Sequence, residues 1–239
     1  MILKDTLRLV LNFLHLDLTK NLEYDRLTKA IMKKVIQKNS NCIDIGCHKG
    51  EILQYILKLA PEGQHFAFEP IPYLYDQLNV KFKNQATIFP FALSDKNGQT
   101  TFNLVKNAPA YSGINKRKYA VENPEIEEIQ VELKQLDEVI PAETKIDLIK
   151  IDVEGGEFDV LKGAKNILKN HQPILVFECG IGASEFYGTK PKEIFQYLTD
   201  LNYKISTLGA FMKQSSPLTI SEFESAFTNN TDYYFIASA

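Results

Sequence analysis

Acidic side chains stand at the ends of several apolar stretches whose composition is typical of buried strands. Asp44 ends the first such stretch, Glu69 the second and Asp152 a later one. In an open parallel sheet, the residues at the carboxyl ends of the strands line the ligand site. A carboxylate there would repel a pyrophosphate and attract an ammonium or sulfonium group. The pattern indicates a small-molecule site whose ligand carries positive charge.

The turn after the first stretch spans residues 44–50 and reads DIGCHKG. The dinucleotide-binding fingerprint would need glycine at positions 46, 48 and 51, and this chain has His48 and Glu51 at the last two. Gly46 permits a sharp turn, and Gly50 permits close packing of helix on strand. An Asp-x-Gly turn also caps many helices, so this turn alone leaves ligand binding open.

Glu69 lies about 20 residues beyond the glycine turn, where nucleoside-binding sheets place an acid that accepts hydrogen bonds from both ribose hydroxyls. The two features support each other, since one ligand would span both. The alternative is that Glu69 only caps the helix beginning near Ile71.

Lys150, Asp152 and Glu178 are the predicted catalytic residues. Side chains alternate along a strand, so Lys150 and Asp152 point the same way, and a buried lysine needs an acidic partner. Glu178 ends the next strand, so the two acids would face each other across one sheet edge. Such a pair can share a proton, act as a general base or hold a divalent cation. The alternative is a structural salt bridge with a helix cap.

The elements that must position these residues alternate between strand and helix. Strands are predicted at residues 42–45, 66–69, 87–92, 148–151, 174–178, 204–207 and 233–237, and helices at 51–59, 73–82, 158–168 and 192–201. This order predicts an α/β fold, a mostly parallel sheet with helices on both faces.

One region departs from the alternation. Residues 100–105 and 129–133 alternate at period two, like an antiparallel β pair inserted in the sheet. The polar connection 106–128 between them is long for a compact domain, and we expect it to form a lid, with disorder as the alternative.

Composition narrows the function classes. The chain has 239 residues, a net charge of −3 and 44% hydrophobic residues, so it has a sizeable core and lacks the basic surplus of a nucleic-acid binder. Its three cysteines, Cys42, Cys47 and Cys179, form no C-x-x-C pair, which favours a reducing, cytoplasmic setting. No closed set of four zinc ligands accompanies His48, so no metal site is predicted.

The first 19 residues carry an apolar stripe broken by charges. We expect residues 1–40 to be a helical segment packed on a domain formed by residues 41–239. An interfacial membrane helix is the alternative, and stable insertion is not expected, since the stripe is interrupted by Lys4, Asp5 and Arg8.

The motifs in order resemble the FkbM family of S-adenosylmethionine-dependent methyltransferases. The resemblance runs from about residue 41 to 208 and rests on DIG at 44–46, FEP at 68–70, ALSD at 92–95, LDE at 136–138, KIDVEGGE at 150–157 and Glu178. The run at 150–157 is the most specific. Cys47 and His48 replace the Ala-Asn that is common in the family.

The resemblance implies a class I methyltransferase (Rossmann-like) fold with seven strands, the last one antiparallel. It also implies S-adenosylmethionine as cofactor and O-methylation of a sugar, glycan or natural-product acceptor. The residues it implies for the cofactor are the turn (Asp44, Gly46, Cys47, His48, Gly50) for the methionine end, Glu69 with Pro70 for the ribose, and Ala92 with Leu93 for the adenine.

Three functions therefore stand at this point. The first is an O-methyltransferase, the second an NAD-dependent oxidoreductase on a similar sheet, and the third a non-catalytic interaction protein that kept the fold. A comparison of S-adenosylmethionine binding with NAD binding distinguishes the first two functions, and the absence of binding of either cofactor would favour the third.

Overall fold

A computed structural model describes residues 19–119 and 121–239. A seven-stranded sheet has the order β3-β2-β1-β7-β8-β10-β9, parallel except for β10. The predicted α/β class and mostly parallel sheet are confirmed. The strands of this sheet are β1 (Cys42–Ile45), β2 (His65–Phe68), β3 (Thr87–Phe89), β7 (Leu148–Ile151), β8 (Ile174–Glu178), β9 (Lys204–Thr207) and β10 (Tyr234–Ser238).

Helices cover both faces of the sheet, because alternate side chains of its fully buried strands need apolar partners on both sides. Val176 and Ile236 pack against Tyr24 and Ile31 on one face, and Phe177 with Phe235 joins the larger core on the other. The described helices are α1 (Lys20–Val35), α2 (Glu51–Leu59), α3 (Pro72–Lys81), α4 (Leu136–Val139), α5 (Glu157–Gly163), α6 (Lys165–His171), α7 (Pro191–Asp200), α8 (Leu208–Met212) and α9 (Ile220–Thr228).

The inserted β pair is part of a three-stranded sheet. Its strands β4 (Phe91–Leu93), β5 (Gly98–Val105) and β6 (Ile126–Lys134) have the order β4-β6-β5. The prediction of one strand over 87–92 is therefore wrong. The break falls at Pro90, which has no N–H to donate to a ladder, so β3 stays in the main sheet and β4 joins the second one.

The helix predicted over 158–168 is also divided, at Ala164 between α5 and α6. A Cβ on Gly163 would lie 2.0 Å from the carbonyl oxygen of Ser94, so the helix end lies tightly against the chain that follows β4. The sequence patterns did not predict α4, α8 or α9.

The connection between β5 and β6, residues 106–125, is here called the lid segment. It contains a short 3-10 turn at Pro109–Tyr111, and Gly113 pairs with Asn103 of β5 in an isolated bridge. It is thus anchored to the second sheet by backbone hydrogen bonds.

Most of the predicted N-terminal helix, residues 1–18, lies outside the described residues. Thr19 caps α1, accepting a hydrogen bond from the Leu22 amide at 3.3 Å, and α1 packs across β8 and β10 through Tyr24 and Ile31. Over residues 19–119 and 121–239, every helix is too short or too polar to span a bilayer.

Candidate active site

Two clefts open at the carboxyl ends of the parallel strands. The glycine-turn cleft has a volume of about 680 Å³ and is lined by the ends of β1, β2, β4 and β7. The α1 cleft, about 1480 Å³, lies between α1, the lid segment and the residues after β7 and β8. Asp152 and Glu154 line both clefts. Groups bound in the two clefts would therefore meet at these carboxylates.

Gly46 shapes the turn at the base of the glycine-turn cleft. Its φ is +71°, and a Cβ there would lie 1.9 Å from the Asp152 carbonyl oxygen, so a side chain is excluded by space as well as by conformation. The Phe68 carbonyl holds the turn by accepting from the amides of Gly46 (3.0 Å) and Cys47 (3.1 Å).

Glu69 is a buried carboxylate in the wall of the glycine-turn cleft. Its Oε2 accepts from the His48 amide at 2.8 Å and its Oε1 from the Ile71 amide at 2.9 Å. Burial raises the pKa of Glu69 to about 7, partly opposed by these two hydrogen bonds. Ile71 immediately precedes α3, so Glu69 accepts a hydrogen bond from a backbone amide at the start of this helix, as the capping alternative predicted. Each oxygen keeps a second lone pair for a ligand hydroxyl.

The rest of the glycine-turn cleft is largely apolar. Pro70, Ala92 and Leu93, all predicted cofactor residues, line it together with His48 and Gly46. Aromatic and aliphatic side chains complete the wall: Phe68, Ile71, Phe91 and Phe102. A flat heteroaromatic ring beside a ribose would suit this lining.

Three predicted cofactor residues lie elsewhere. Cys47 is buried in a cluster behind the turn, and a Cβ on Gly50 would approach Phe82 and Leu78 within 2.7 Å. Asp44 is fully buried and lines neither cleft. The side chains of Asp44 and Cys47 and the packing of Gly50 support the turn from behind, and contact of these three residues with the cofactor stays a prediction.

Lys150 connects Asp44 to the cleft residues. Its Nζ lies 3.6 Å from Asp44 Oδ1 and 3.4 Å from Asp152 Oδ2, and it donates to the Gly46 carbonyl at 3.2 Å. Burial lowers the pKa of Lys150, but the two carboxylates outweigh that and hold it above its usual range. The ammonium therefore stays charged and ties the turn to Asp152.

Asp152 and Glu178 are brought together as predicted from the strand ends. Tyr234 of β10 donates a hydrogen bond to Asp152 Oδ2. Burial raises the pKa of Asp152, but Lys150 and Tyr234 lower it more, so it lies below its usual range. Burial and the Asp152 charge hold the pKa of Glu178 well above its usual range. Glu178 is therefore the more basic carboxyl of the pair, and Asp152 is the more acidic one.

Glu154 was not predicted as a site residue. Carboxylate oxygens of Asp152, Glu154 and Glu178 lie within 4.8 Å of one another, and these three residues are called the acidic junction. Glu154 has φ +62°, in a loop that Glu157 holds by accepting from the Val153 and Gly155 amides at 2.9 and 3.1 Å. The spacing of the acids in KIDVEGGE was the signal that the sequence offered.

The lid segment reaches the acidic junction through Arg117. The Arg117 guanidinium forms an ion pair with Glu154, and its Nε donates to the Gly182 carbonyl at 3.0 Å. Nearby, the Asn115 amide donates to the Tyr187 hydroxyl at 3.2 Å. The segment therefore lies across the site, as a lid would. Three carboxylates could also hold a divalent cation, although Arg117 already supplies a positive charge there.

The family model described as the methyltransferase FkbM domain matches residues 44–205. The 2-O-methyltransferase NoeI of Sinorhizobium fredii is 28% identical over 145 residues, covering 53% of this chain and 58% of that protein. Methyltransferase 1 of Beauveria bassiana is 29% identical over 145 residues, 52% of this chain and 58% of that one. The chain thus spans less than two thirds of the length of these relatives.

Among solved structures, the methyltransferase FkbM from Methylobacillus flagellatus KT superimposes with a TM-score of 0.53 at 14% identity, covering 90% of this chain and 52% of that one. This agreement confirms the class I methyltransferase fold. The family match also removes the grounds for the NAD-dependent alternative. The chain belongs to the FkbM methyltransferase domain family.

Proposed function

We propose that the protein transfers a methyl group from S-adenosylmethionine to a hydroxyl oxygen of a sugar, glycan or natural-product acceptor. The observation that carries the proposal is the meeting of the two clefts at Asp152 and Glu154, beside Glu178. The relative NoeI is a 2-O-methyltransferase, which supports oxygen as the methyl acceptor.

The residues of the glycine-turn cleft fit the cofactor chemically. Glu69 offers acceptors to the ribose diol, the apolar wall with Ala92 and Leu93 suits the adenine, and the Gly46 turn leaves room for the methionine end. When bound, S-adenosylmethionine supplies an electrophilic methyl group on a sulfonium. Glu154 and Asp152 would place negative charge beside that positive centre.

The acidic junction would bind the acceptor hydroxyl and remove its proton. Lys150 and Tyr234 hold Asp152 in one position as an anion, and Glu178, which hydrogen-bonds to Asp152, has the higher pKa of the two. We therefore assign Glu178, the more basic carboxyl of the pair, as the group that in its ionised form takes the hydroxyl proton, while the oxygen bonds to the methyl carbon and the bond from that carbon to the sulfonium sulfur breaks. Asp152 orients the hydroxyl and, with Lys150, is a positioning element.

A binding titration and a transfer assay test the proposal together. Calorimetry with S-adenosylmethionine and S-adenosylhomocysteine should show saturable binding, with no comparable binding of NAD. An acceptor screen with a methyl-labelled donor should then show label transferred to a hydroxyl compound. Binding without any transfer would favour the non-catalytic interaction protein, and no binding at all would contradict the proposal.

A further inference from the structure

Nine of the 17 residues that line the α1 cleft lie outside the FkbM match at 44–205. Asn21 and Tyr24 come from α1, and Asn230, Tyr233 and Tyr234 come from the end of the chain. The matched domain therefore supplies one side of this cleft and the two chain ends supply the other.

Side-chain contacts join these two ends into one surface. The Tyr24 hydroxyl donates to Asp232 Oδ1 at 3.2 Å and accepts from the Tyr233 amide at 3.3 Å. The Tyr233 hydroxyl donates to Asn21 Oδ1 at 2.5 Å, and the Tyr24 and Tyr233 rings meet edge to face with centroids 4.7 Å apart. The wall is therefore preorganised rather than assembled by a ligand.

The charges around the α1 cleft are unequal. Four acidic residues line the cleft, Asp25 and the three of the acidic junction, and the described cations that line it are Arg117 and Lys150. Arg117 pairs with Glu154, and Lys150 lies between Asp44 and Asp152. Within residues 19–119 and 121–239, each cation that lines the cleft is thus already paired with a carboxylate. None of these cations remains to bind a phosphate, sulfate or carboxylate group of a ligand.

We propose that this wall is the acceptor subsite, and that it selects an uncharged polyhydroxylated acceptor over the same compound bearing a phosphate ester. Amide and phenol groups of Asn21, Asn230 and Tyr233 can both donate and accept hydrogen bonds, as hydroxyl groups require. The acidic junction repels an anion in the same space. The inference rests on the proposed function. It specifies in addition that the acceptor is uncharged and which residues select it.

The test uses the full chain saturated with S-adenosylhomocysteine. The probes are uncharged methyl glycosides of common hexoses, pentoses and deoxyhexoses, and the same sugars as phosphate esters. Ligand-detected saturation-transfer NMR reports binding independently of turnover. We expect binding of uncharged probes, at least about tenfold tighter than that of the matching phosphate esters.

Ile181 gives a matched pair of variants, because it lines the cleft, is 48% exposed and belongs to no catalytic group. Ile181→Lys adds a positive charge to the wall, and Ile181→Gln changes the polarity without charge. We expect the preference for uncharged probes to fall at least about threefold in Ile181→Lys and to remain in Ile181→Gln. Equal preferences in the two variants would contradict the electrostatic explanation.

Tyr233→Ala and Tyr233→Phe test the wall itself. Alanine removes the ring and the contact with Asn21, and should weaken binding of the uncharged probes about tenfold, whereas phenylalanine keeps the ring and should lose less. S-adenosylhomocysteine affinity should stay the same in both.

Two results for the parent chain would overturn the inference and leave the proposed function standing. One is tighter binding of the phosphate esters, and the other is binding of S-adenosylhomocysteine without binding of any uncharged probe. A chain that binds no S-adenosylhomocysteine would instead contradict the proposed function.

Discussion

The two clefts differ in where their residues come from. All lining residues of the glycine-turn cleft lie within the matched segment 44–205, and most lie in strands or in the turns that follow them. The α1 cleft joins residues more than 200 positions apart, such as Tyr24 and Tyr233. The family match thus covers the whole proposed cofactor cleft, whereas the proposed acceptor cleft also uses parts of the chain outside that match. The acidic junction lies where the two meet.

The largest effect is expected at the acidic junction. Glu178→Gln and Asp152→Asn should each lower turnover by about 10²- to 10⁴-fold, because removal of a general base or of its oriented partner costs that much. Calorimetry should show S-adenosylhomocysteine affinity within a few-fold of the parent. Unchanged turnover in both variants would mean that the pair is structural and that the clefts do not meet at a reaction centre.

A chelator distinguishes proton removal by Glu178 from metal catalysis at the same residues. Because Arg117 and Lys150 already lie against the junction acids, we expect EDTA to leave activity unchanged. Activity lost with EDTA and restored by magnesium or manganese would replace the general-base assignment with a metal site at Asp152, Glu154 and Glu178.

The next largest effect belongs to the glycine-turn cleft alone. Glu69→Ala removes two charge-assisted hydrogen bonds to ribose hydroxyls, and should weaken cofactor binding by about 2 to 4 kcal/mol, tens- to hundreds-fold in affinity. Glu143→Ala, at an exposed residue, is the control. Affinity within twofold of the parent in Glu69→Ala would show that the ribose assignment is wrong.

The sequence could predict the glycine-turn cleft because its information is local. Glu69 and Asp152 stand next to their strands, and the alternation of a parallel sheet brings strand ends together whatever the loops do. The same reasoning did not predict that the Cys47 side chain is buried behind the turn. A turn of known composition still leaves the direction of each side chain to packing, here against Leu78 and Phe82.

The α1 cleft could not be predicted in this way. The contacts between Tyr24, Asp232 and Tyr233 depend on the position of β10 between β8 and β9, which no pattern near Tyr24 encodes. The division of the strand at Pro90 could not be predicted from nearby residues either. The proline is present in the sequence, but β4 belongs to the second sheet because it pairs with the distant strand β6. Long-range pairing decided both features.

A smaller effect concerns pH and again separates the clefts. The pKa of Glu69 is raised to about 7, and ribose hydroxyls would donate to its ionised form, so cofactor binding should release a proton. Affinity for S-adenosylhomocysteine should therefore rise about tenfold between pH 6 and pH 8. The rise should disappear in Glu69→Gln, whatever its absolute affinity. A parent chain whose affinity falls over this range would contradict the assigned direction.

The smallest expected effect tests whether the α1 wall is independent of the cofactor cleft. Tyr24→Phe removes one hydroxyl that donates to Asp232 and accepts from the Tyr233 amide, and should lower the free energy of unfolding by about 1 kcal/mol. Urea denaturation with and without S-adenosylhomocysteine measures the loss, and Tyr55→Phe in α2 is the control. Because Tyr24 lines only the α1 cleft, the stabilisation by S-adenosylhomocysteine should be equal in parent and variant, while binding of an uncharged acceptor weakens. A smaller stabilisation by S-adenosylhomocysteine in the variant would show that the chain ends also stabilise the cofactor cleft. The two clefts would then not be energetically independent.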